Sequence, residues 1–259
     1  MSMDRRQFLK LAGISAAMGL GGTAAFNMIS RNWLEAAEYQ RGEGALLGKR
    51  WAITIDLRRF QEDPSLAKKC IDACHKIHNV PSIGTKQEIK WLWTEHYENA
   101  FPDDMNEHMQ EGVENIPVLV LCNHCDNPPC VRVCPTKATY RRPDGIVMMD
   151  MHRCIGCRFC MAACPFGARS FNFQDPRPFL KGENPKFPTR MKGVVEKCTL
   201  CYERLAEGLK PACVEVSGGA MLFGDLADSS SEVRQVLRER WSIRRKPNLG
   251  TKPSVYYLI

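Results

Sequence analysis

Alternating apolar and polar positions mark Arg50-Trp51-Ala52-Ile53-Thr54-Ile55-Asp56-Leu57 as a strand. The same pattern predicts strands at Ile89, Trp91 and Trp93, at 116–121, at Ile146–Met149 after an Asp144-Gly145 turn, and at Gly219–Gly224. Trp91 and Trp93 are expected in the core. Residues 65–78 suit a helix. Ser229-x-x-Glu232 reads as a capping box that opens another, with Val233, Val236, Leu237 and Trp241 on a core-facing side. Arg244-Arg245-Lys246, followed by Pro247, reads as its solvated basic end. The segment 174–193, with four prolines and several lysines, is a loop, and the apolar tail Pro253–Ile259 is expected to dock on the body.

The first 30 residues differ from the rest. Asp4-Arg5-Arg6-Gln7-Phe8-Leu9-Lys10 carries an arginine pair, then an apolar pair and a lysine. A mildly apolar run from Leu11 to Ile29 follows, diluted by Gly13, Gly19, Gly21, Gly22 and Asn27. This resembles a Tat signal peptide, which exports folded proteins, although Asp4 stands where Ser or Thr is usual. It implies export by Tat to the periplasmic (extracytoplasmic) face of the cytoplasmic membrane. Thr23-Ala24-Ala25 is the best small-residue stretch for cleavage; otherwise the segment is kept as an anchor. Residues 31–48 read as a linker.

Composition narrows the class. Of 259 residues, 44% are hydrophobic and 25% charged, which excludes a disordered, collagenous or multi-span chain. The formal charge is +7, and no basic stripe interleaved with aromatics accompanies it, so no nucleic-acid partner is expected. The outlier is 13 cysteines, an odd number that disulfides cannot exhaust.

The cysteines fall into four groups. Cys70 and Cys74 stand alone as C-x3-C. Cys122, Cys125, Cys130 and Cys134 are spaced C-x2-C-x4-C-x3-C, with Pro135 next. Cys154, Cys157, Cys160 and Cys164 are spaced C-x2-C-x2-C-x3-C, with Pro165 next. Cys198, Cys201 and Cys213 are spaced C-x2-C-x11-C. Zinc needs four tetrahedral ligands, and the third cysteine of a C-x2-C-x2-C run would be redundant. Disulfides fail because cysteines two or three apart cannot all reach partners in good geometry. A [4Fe–4S] cubane wants one soft thiolate at each iron, and the third group has the bacterial ferredoxin spacing, in which the fourth cysteine ligates the other cluster of a pair.

That crossover assigns the ligands. Cys122, Cys125, Cys130 and Cys164 form one set, and Cys154, Cys157, Cys160 and Cys134 a second. The outer groups should form another pair, but both are incomplete. Counting back from Cys70 lands on Pro64 and Ala67, or on Phe60, and the slot four after Cys213 holds Ser217. The losses fall on one site: Cys198, Cys201, Cys213 and Cys74 make a complete third set, and Cys70 is spare. Three [4Fe–4S] clusters follow. Bound by four thiolates, each carries about −2 in its 2+ state, which offsets most of the basic excess.

Strand, cluster loop, short helix and strand recur twice. The expected fold is α+β: tandem bacterial-type two-cluster ferredoxin domains with short strands, cluster loops and a C-terminal helix. Residues 50–110 and 194–259 form the first half, with one cluster lost, and 111–173 the second. Clusters tie such loops together in place of a large core.

From about Arg50 to Ile259 the chain resembles the iron–sulfur electron-transfer subunits of the DMSO reductase/polysulfide reductase superfamily. The resemblance is carried by Cys122-Asn123-His124-Cys125 through Cys134-Pro135-Thr136, by Cys154-Ile155-Gly156-Cys157 through Cys164-Pro165-Phe166-Gly167-Ala168-Arg169, and by Lys197-Cys198-Thr199-Leu200-Cys201. Phe223-Gly224-Asp225-Leu226 and Thr251 to Leu258 match as well. Typical members hold four clusters; the departures at Phe60–Ala67 and Ser217 leave three. With Cys74-His75-Lys76-Ile77-His78-Asn79-Val80-Pro81 and the Tat signal, the chain is most similar to the exported iron–sulfur subunit of the Dsr membrane complex associated with sulfite reduction.

That resemblance implies two partners: a multi-span, quinone-interacting membrane subunit of the polysulfide-reductase type, and an exported multihaem cytochrome c. An alternative is the beta subunit of another exported molybdopterin or hydrogenase-type oxidoreductase complex. A role as an electron carrier with no small-molecule substrate of its own fits the absence of G-x-G-x-x-G and P-loop motifs. An enzyme would have to draw on His75, His78, His96, His108, His124 or His152, most of which read as surface residues or supports of the ligands, and four protein ligands leave no iron open. A redox-inert scaffold is the third possibility.

Overall fold

The computed structural model describes residues 43–109 and 112–259. The expected signal peptide and most of the expected linker lie outside them. Ten strands, β1 (Trp51–Asp56), β2 (Leu92–His96), β3 (Pro117–Leu121), β4 (Thr139–Arg141), β5 (Val147–Met149), β6 (Ser170–Phe171), β7 (Val195–Glu196), β8 (Met221–Asp225), β9 (Ser242–Ile243) and β10 (Val255–Leu258), run through the described residues. Between them lie helices α1 (Leu57–Glu62), α2 (Pro64–Ile77), α3 (Tyr97–Ala100), α4 (Pro129–Arg132), α5 (Phe159–Ala162), α6 (Tyr202–Ala206), α7 (Ala212–Val216) and α8 (Glu232–Glu239). Mixed, short elements agree with an α+β fold. Among the described residues, no helix is long and apolar enough to cross a membrane.

The largest sheet has the order β8-β1-β10-β9. Every residue of β1 is buried, so this strand needs neighbours on both edges. β8 supplies one, antiparallel, with Ile53 opposite Phe223. The C-terminal tail supplies the other: β10 runs parallel to β1 with Ile53 opposite Val255. The apolar tail therefore docks by becoming a central strand. β2 and β3 pair antiparallel, as do β4 with β5 and β6 with β7.

Several sequence expectations shift. Ile89 and Trp91 are buried, but the strand opens only at Leu92, and Trp93 is half-buried beneath Lys90. The capping serine of α8 is Ser231, whose Oγ accepts from the backbone of Arg234, while Asp228 engages Ser230 instead. Helix α8 ends at Glu239 because Arg240 turns extended and its guanidinium reaches Asp56. Val233 is buried as expected, but Trp241 falls past the helix end and is 77% exposed. The basic end is not solvated throughout: Arg245 is buried over Phe166 and donates to the carbonyl of Ala100, and Lys246 donates to Pro165.

Candidate metal centre

Each cysteine loop follows a strand or opens a helix, so its sulfurs are placed by the local backbone. β3 delivers Cys122 at its end, and His124 in the left-handed region turns the loop toward Cys125. Proline at the start of α4 suits a helix N-terminus, and that helix carries Cys130. Cys160 sits in α5 and Cys164 just beyond it. Leu200 and Cys201 both adopt positive φ, which turns the third loop tightly enough to face Cys198 and Cys201 inward before α6 begins.

Thirteen cysteines are free thiols, and twelve of them gather at three foci. Cys122, Cys125, Cys130 and Cys164 line one small cavity. Cys134, Cys154, Cys157 and Cys160 line a second. At the third focus, burial pushes the Cys74 thiol well up, and Cys198, Cys213 and Cys201 push it further by like charge. Cys74 comes from α2 and the other three from 198–213, so this focus joins distant parts of the sequence. Burial and neighbouring thiols raise Cys125 and Cys198 to about 12.

The first focus neighbours both of the others. Cys160 of the second feels the charge of Cys130 in the first. Cys198 of the third feels that of Cys122 in the first. The first focus thus links the second and the third.

The residues fit anionic clusters on grounds independent of spacing. Lys197 is 0% exposed, and its Nζ donates only to the carbonyls of Val147 and Cys198. Arg169 is buried between Cys130, Cys160 and Cys122, its Nη1 donating to Thr139. Neither makes an ion pair with a carboxylate among the described residues. A buried cation without a counter-charge costs several kcal/mol; thiolate cages supply the missing negative charge. The same two cations, after burial itself, hold the His124 imidazole well below its ordinary pKa, and Val147 donates its backbone N–H to His124 Nδ1. Backbone N–H groups also point at sulfur: Thr139 N lies 3.5 Å from Cys134 Sγ, and Leu200 N 3.4 Å from Cys198 Sγ. At Cys134, partial burial raises the thiol, but this bond and others from Thr136 and Ala138 outweigh it and lower the pKa. Such bonds favour the thiolate and tune a bound cluster.

The residues standing in the incomplete ligand slots are placed as follows. Phe60 is buried, and α2 and α7 pack against each other. The Ser217 hydroxyl donates to Val214 O at 2.7 Å and accepts from Met221 N at 3.0 Å. Cys70 is buried, its Sγ 3.4 Å from the carbonyl of Cys213, and its thiol is pushed up to about 11 by burial.

Sequence reasoning allowed His78 a supporting role but missed the network of Glu203, Trp91, Glu196 and Arg190 around the third focus. His78 is buried, with Nδ1 donating to Cys74 O at 2.8 Å and Nε2 2.7 Å from Glu203 Oε1. It stacks on Trp91, whose Nε1 donates to Glu196, and Glu196 pairs with Arg190 at 2.7 Å, both fully buried. Arg190 comes from the segment read only as loop. His75 is partly buried and 3.2 Å from Leu92 O, whereas His108 and His152 are exposed.

Comparison with known proteins agrees. A family model described as a 4Fe-4S dicluster domain matches residues 116–176 and 184–226. The chain is 40% identical to the Hdr-like menaquinol oxidoreductase iron-sulfur subunit 1 of Archaeoglobus fulgidus, over 98% of this chain and 97% of that one. It is 33% identical to the iron-sulfur cluster-binding subunit of menaquinone reductase from Nitratidesulfovibrio vulgaris, over 81% of this chain and 88% of the relative. Over 61% of its length it is 41% identical to 81% of a polypeptide of polysulfide reductase from Wolinella succinogenes.

Proposed function

Because this protein belongs to the iron–sulfur subunits of polysulfide- and DMSO-reductase-type complexes, we propose that it is a three-cluster electron conductor within a Dsr-type respiratory complex. The coarser role stands on the relatives: it is an iron–sulfur electron-transfer subunit of quinone-linked oxidoreductase complexes. The observation that carries the finer reading is the convergence of twelve thiols on three neighbouring foci, with Phe60 and Ser217 standing in the incomplete ligand slots.

Cys122, Cys125, Cys130 and Cys164 would hold the middle cluster. Cys154, Cys157, Cys160 and Cys134 would hold one end, and Cys198, Cys201, Cys213 and Cys74 the other. When bound, [4Fe–4S] clusters supply reversible one-electron exchange. The protein's part is to space them, exclude water and compensate charge with Lys197 and Arg169. Its partners in this reading are a multi-span polysulfide-reductase-type membrane subunit and an exported multihaem cytochrome c, met at the periplasmic face after Tat export. The near-full-length match to a menaquinol oxidoreductase subunit supports the quinone side.

Iron and acid-labile sulfide per chain test the count, together with integrated EPR of the reduced protein. Cys74→Ala should remove about a third of the iron, the content of one cubane in three, and Cys70→Ala should remove none. Wild-type iron equal to four cubanes, or loss on Cys70→Ala, would overturn it.

A further inference from the structure

One concentration of positive charge lies away from the thiol foci. Helix α8, the turn that follows β8 and Tyr256 of β10 enclose an open cleft with no cysteine in its lining. Leu226, Leu237 and the Tyr256 ring give it an apolar wall. Its charged lining is three arginines: Arg50, from the approach to β1, and Arg234 and Arg238, from α8. A fourth guanidinium, that of Arg244, lies 5.5 Å from the Tyr256 ring.

This arrangement is unfavourable unless an anion joins it. Arg234 and Arg238 are four residues apart on α8, where like charges are neighbours and repel. Arg234 is also pinned in place, because its Nη1 donates to the carbonyl of Leu226 at 3.0 Å. Arg50 Nε is buried with no hydrogen-bond partner. Arg50 Nη1 comes no nearer to Asp126 than 3.7 Å, since Arg141 already holds that carboxylate at 2.6 Å. Arg234, Arg238 and Arg244 form no ion pair with a carboxylate among the described residues.

The acidic groups nearby do not neutralise the cleft. None lines it. Asp225 accepts from the backbone N–H groups of Lys49, Arg50 and Ala227, and Asp228 from that of Ser230. Asp56 bonds Arg240, Asp144 pairs with Arg142 at 2.9 Å, and Glu232 pairs with Lys210 at 2.9 Å. Glu239 is exposed at the end of α8. Even with Asp225 and Glu239 counted in full against the four arginines, four minus two leaves a surplus of +2.

Guanidinium groups present paired N–H donors whose spacing matches two oxygens of one phosphate, and converging on it they supply both charge and direction. The apolar wall beside them suits the carbon part of a phosphate ester. We infer that this cleft binds a phosphate group, free or carried at the head of a lipid, between Arg50, Arg234 and Arg238.

The test uses the full chain, loaded with its clusters and exchanged into chloride buffer. Inorganic phosphate added at constant ionic strength should raise the thermal midpoint and give a saturable calorimetric signal. Arg234→Gln/Arg238→Gln should weaken that binding about tenfold or more, through loss of charge-assisted phosphate contacts. Arg132→Gln/Lys192→Gln, which removes the same charge from exposed positions elsewhere, should leave it unchanged. Arg238→Gln alone, at an exposed side chain, should also weaken binding and serves where the double variant does not fold. Phosphatidylcholine vesicles with and without phosphatidylglycerol separate the sources. Binding that requires phosphatidylglycerol and that inorganic phosphate competes away means a lipid head; phosphate binding with vesicle binding absent or unaffected means the free anion. Equal responses to phosphate and chloride, or equal losses in the two double variants, would overturn the site. So would failure of both phosphate and phosphatidylglycerol vesicles to bind.

Discussion

His78 Nε2 lies 2.7 Å from Glu203 Oε1, which ties the residue four places beyond Cys74 to the residue two places beyond Cys201. These two cysteines come from segments more than a hundred residues apart, and this pair is the direct side-chain bond between the segments beside their sulfurs. The second oxygen of Glu203 is buried with no partner, so the carboxylate depends on His78. Replacing His78 with Ala should leave that carboxylate orphaned, a cost of about 1–3 kcal/mol, and remove the ring from Trp91 and Phe187. The expected result is a lower thermal midpoint and an altered EPR signal from one cluster only, with partial rescue by Gln. An unchanged midpoint and spectrum would show that the pair holds nothing.

Arg190 and Glu196 form the other buried support. Glu196 accepts from Arg190 Nε at 2.7 Å and Trp91 Nε1 at 3.0 Å, and Arg190 Nη2 donates to Asn79 O at 2.6 Å. Arg190→Met should cost about 3–5 kcal/mol, because it strands a buried carboxylate. Arg190→Met/Glu196→Gln should recover much of that loss, since the stranded charge is gone. Urea unfolding of the four proteins measures the coupling; additive losses would contradict it.

The ligand grouping is legible from spacing because a cubane needs three thiols from one tight loop and one from elsewhere, a rule written in local intervals. β1, β3, β5 and β8 are legible from alternation or short apolar runs in the sequence, whereas the tail is expected only to dock and becomes β10, and the short strands β4, β7 and β9 carry no such pattern. Trp241 misleads because helical periodicity says which residues share a face but not where the helix stops; the stop is set by Arg240 reaching Asp56, 184 positions away. Arg245 reads as part of a solvated end and Arg190 only as part of a loop, and the burial of Lys197 goes unread beside its cysteine motif, because nothing local marks a cation for burial. Their reasons lie in distant carbonyls, one carboxylate and the thiol cages.

Cys70 gives a pH dependence that does not require a free ligand thiol. Burial pushes its pKa from 9.0 to about 11, slightly opposed by Lys69. The folded protein therefore binds this proton more tightly than the unfolded one. The associated stability is complete below pH 9 and drains away between pH 9 and about 11. In Cys70→Ala, the fall in urea stability over that window should be shallower than in the wild type, with iron content matched. Parallel curves would remove Cys70 as the cause.

Gly156 stands between two second-focus ligands at φ +70°, where a side chain is strained, and a Cβ there would meet Gly193 O at 2.5 Å and Phe171 at 3.1 Å. Gly193 has φ +89°, but a Cβ on it would meet nothing within 4 Å. Both substitutions to Ala carry the left-handed penalty of about 1–2 kcal/mol; only Gly156→Ala adds an overlap with backbone. Relief requires the 154–157 loop to move away from Gly193, which pulls Cys154 and Cys157 off Cys134 and Cys160. Gly156→Ala should therefore lose the signal and iron of one cluster, while Gly193→Ala keeps all of it and unfolds at slightly lower urea. Equal iron in the two variants would mean that the contact between these loops does not set the position of the second focus.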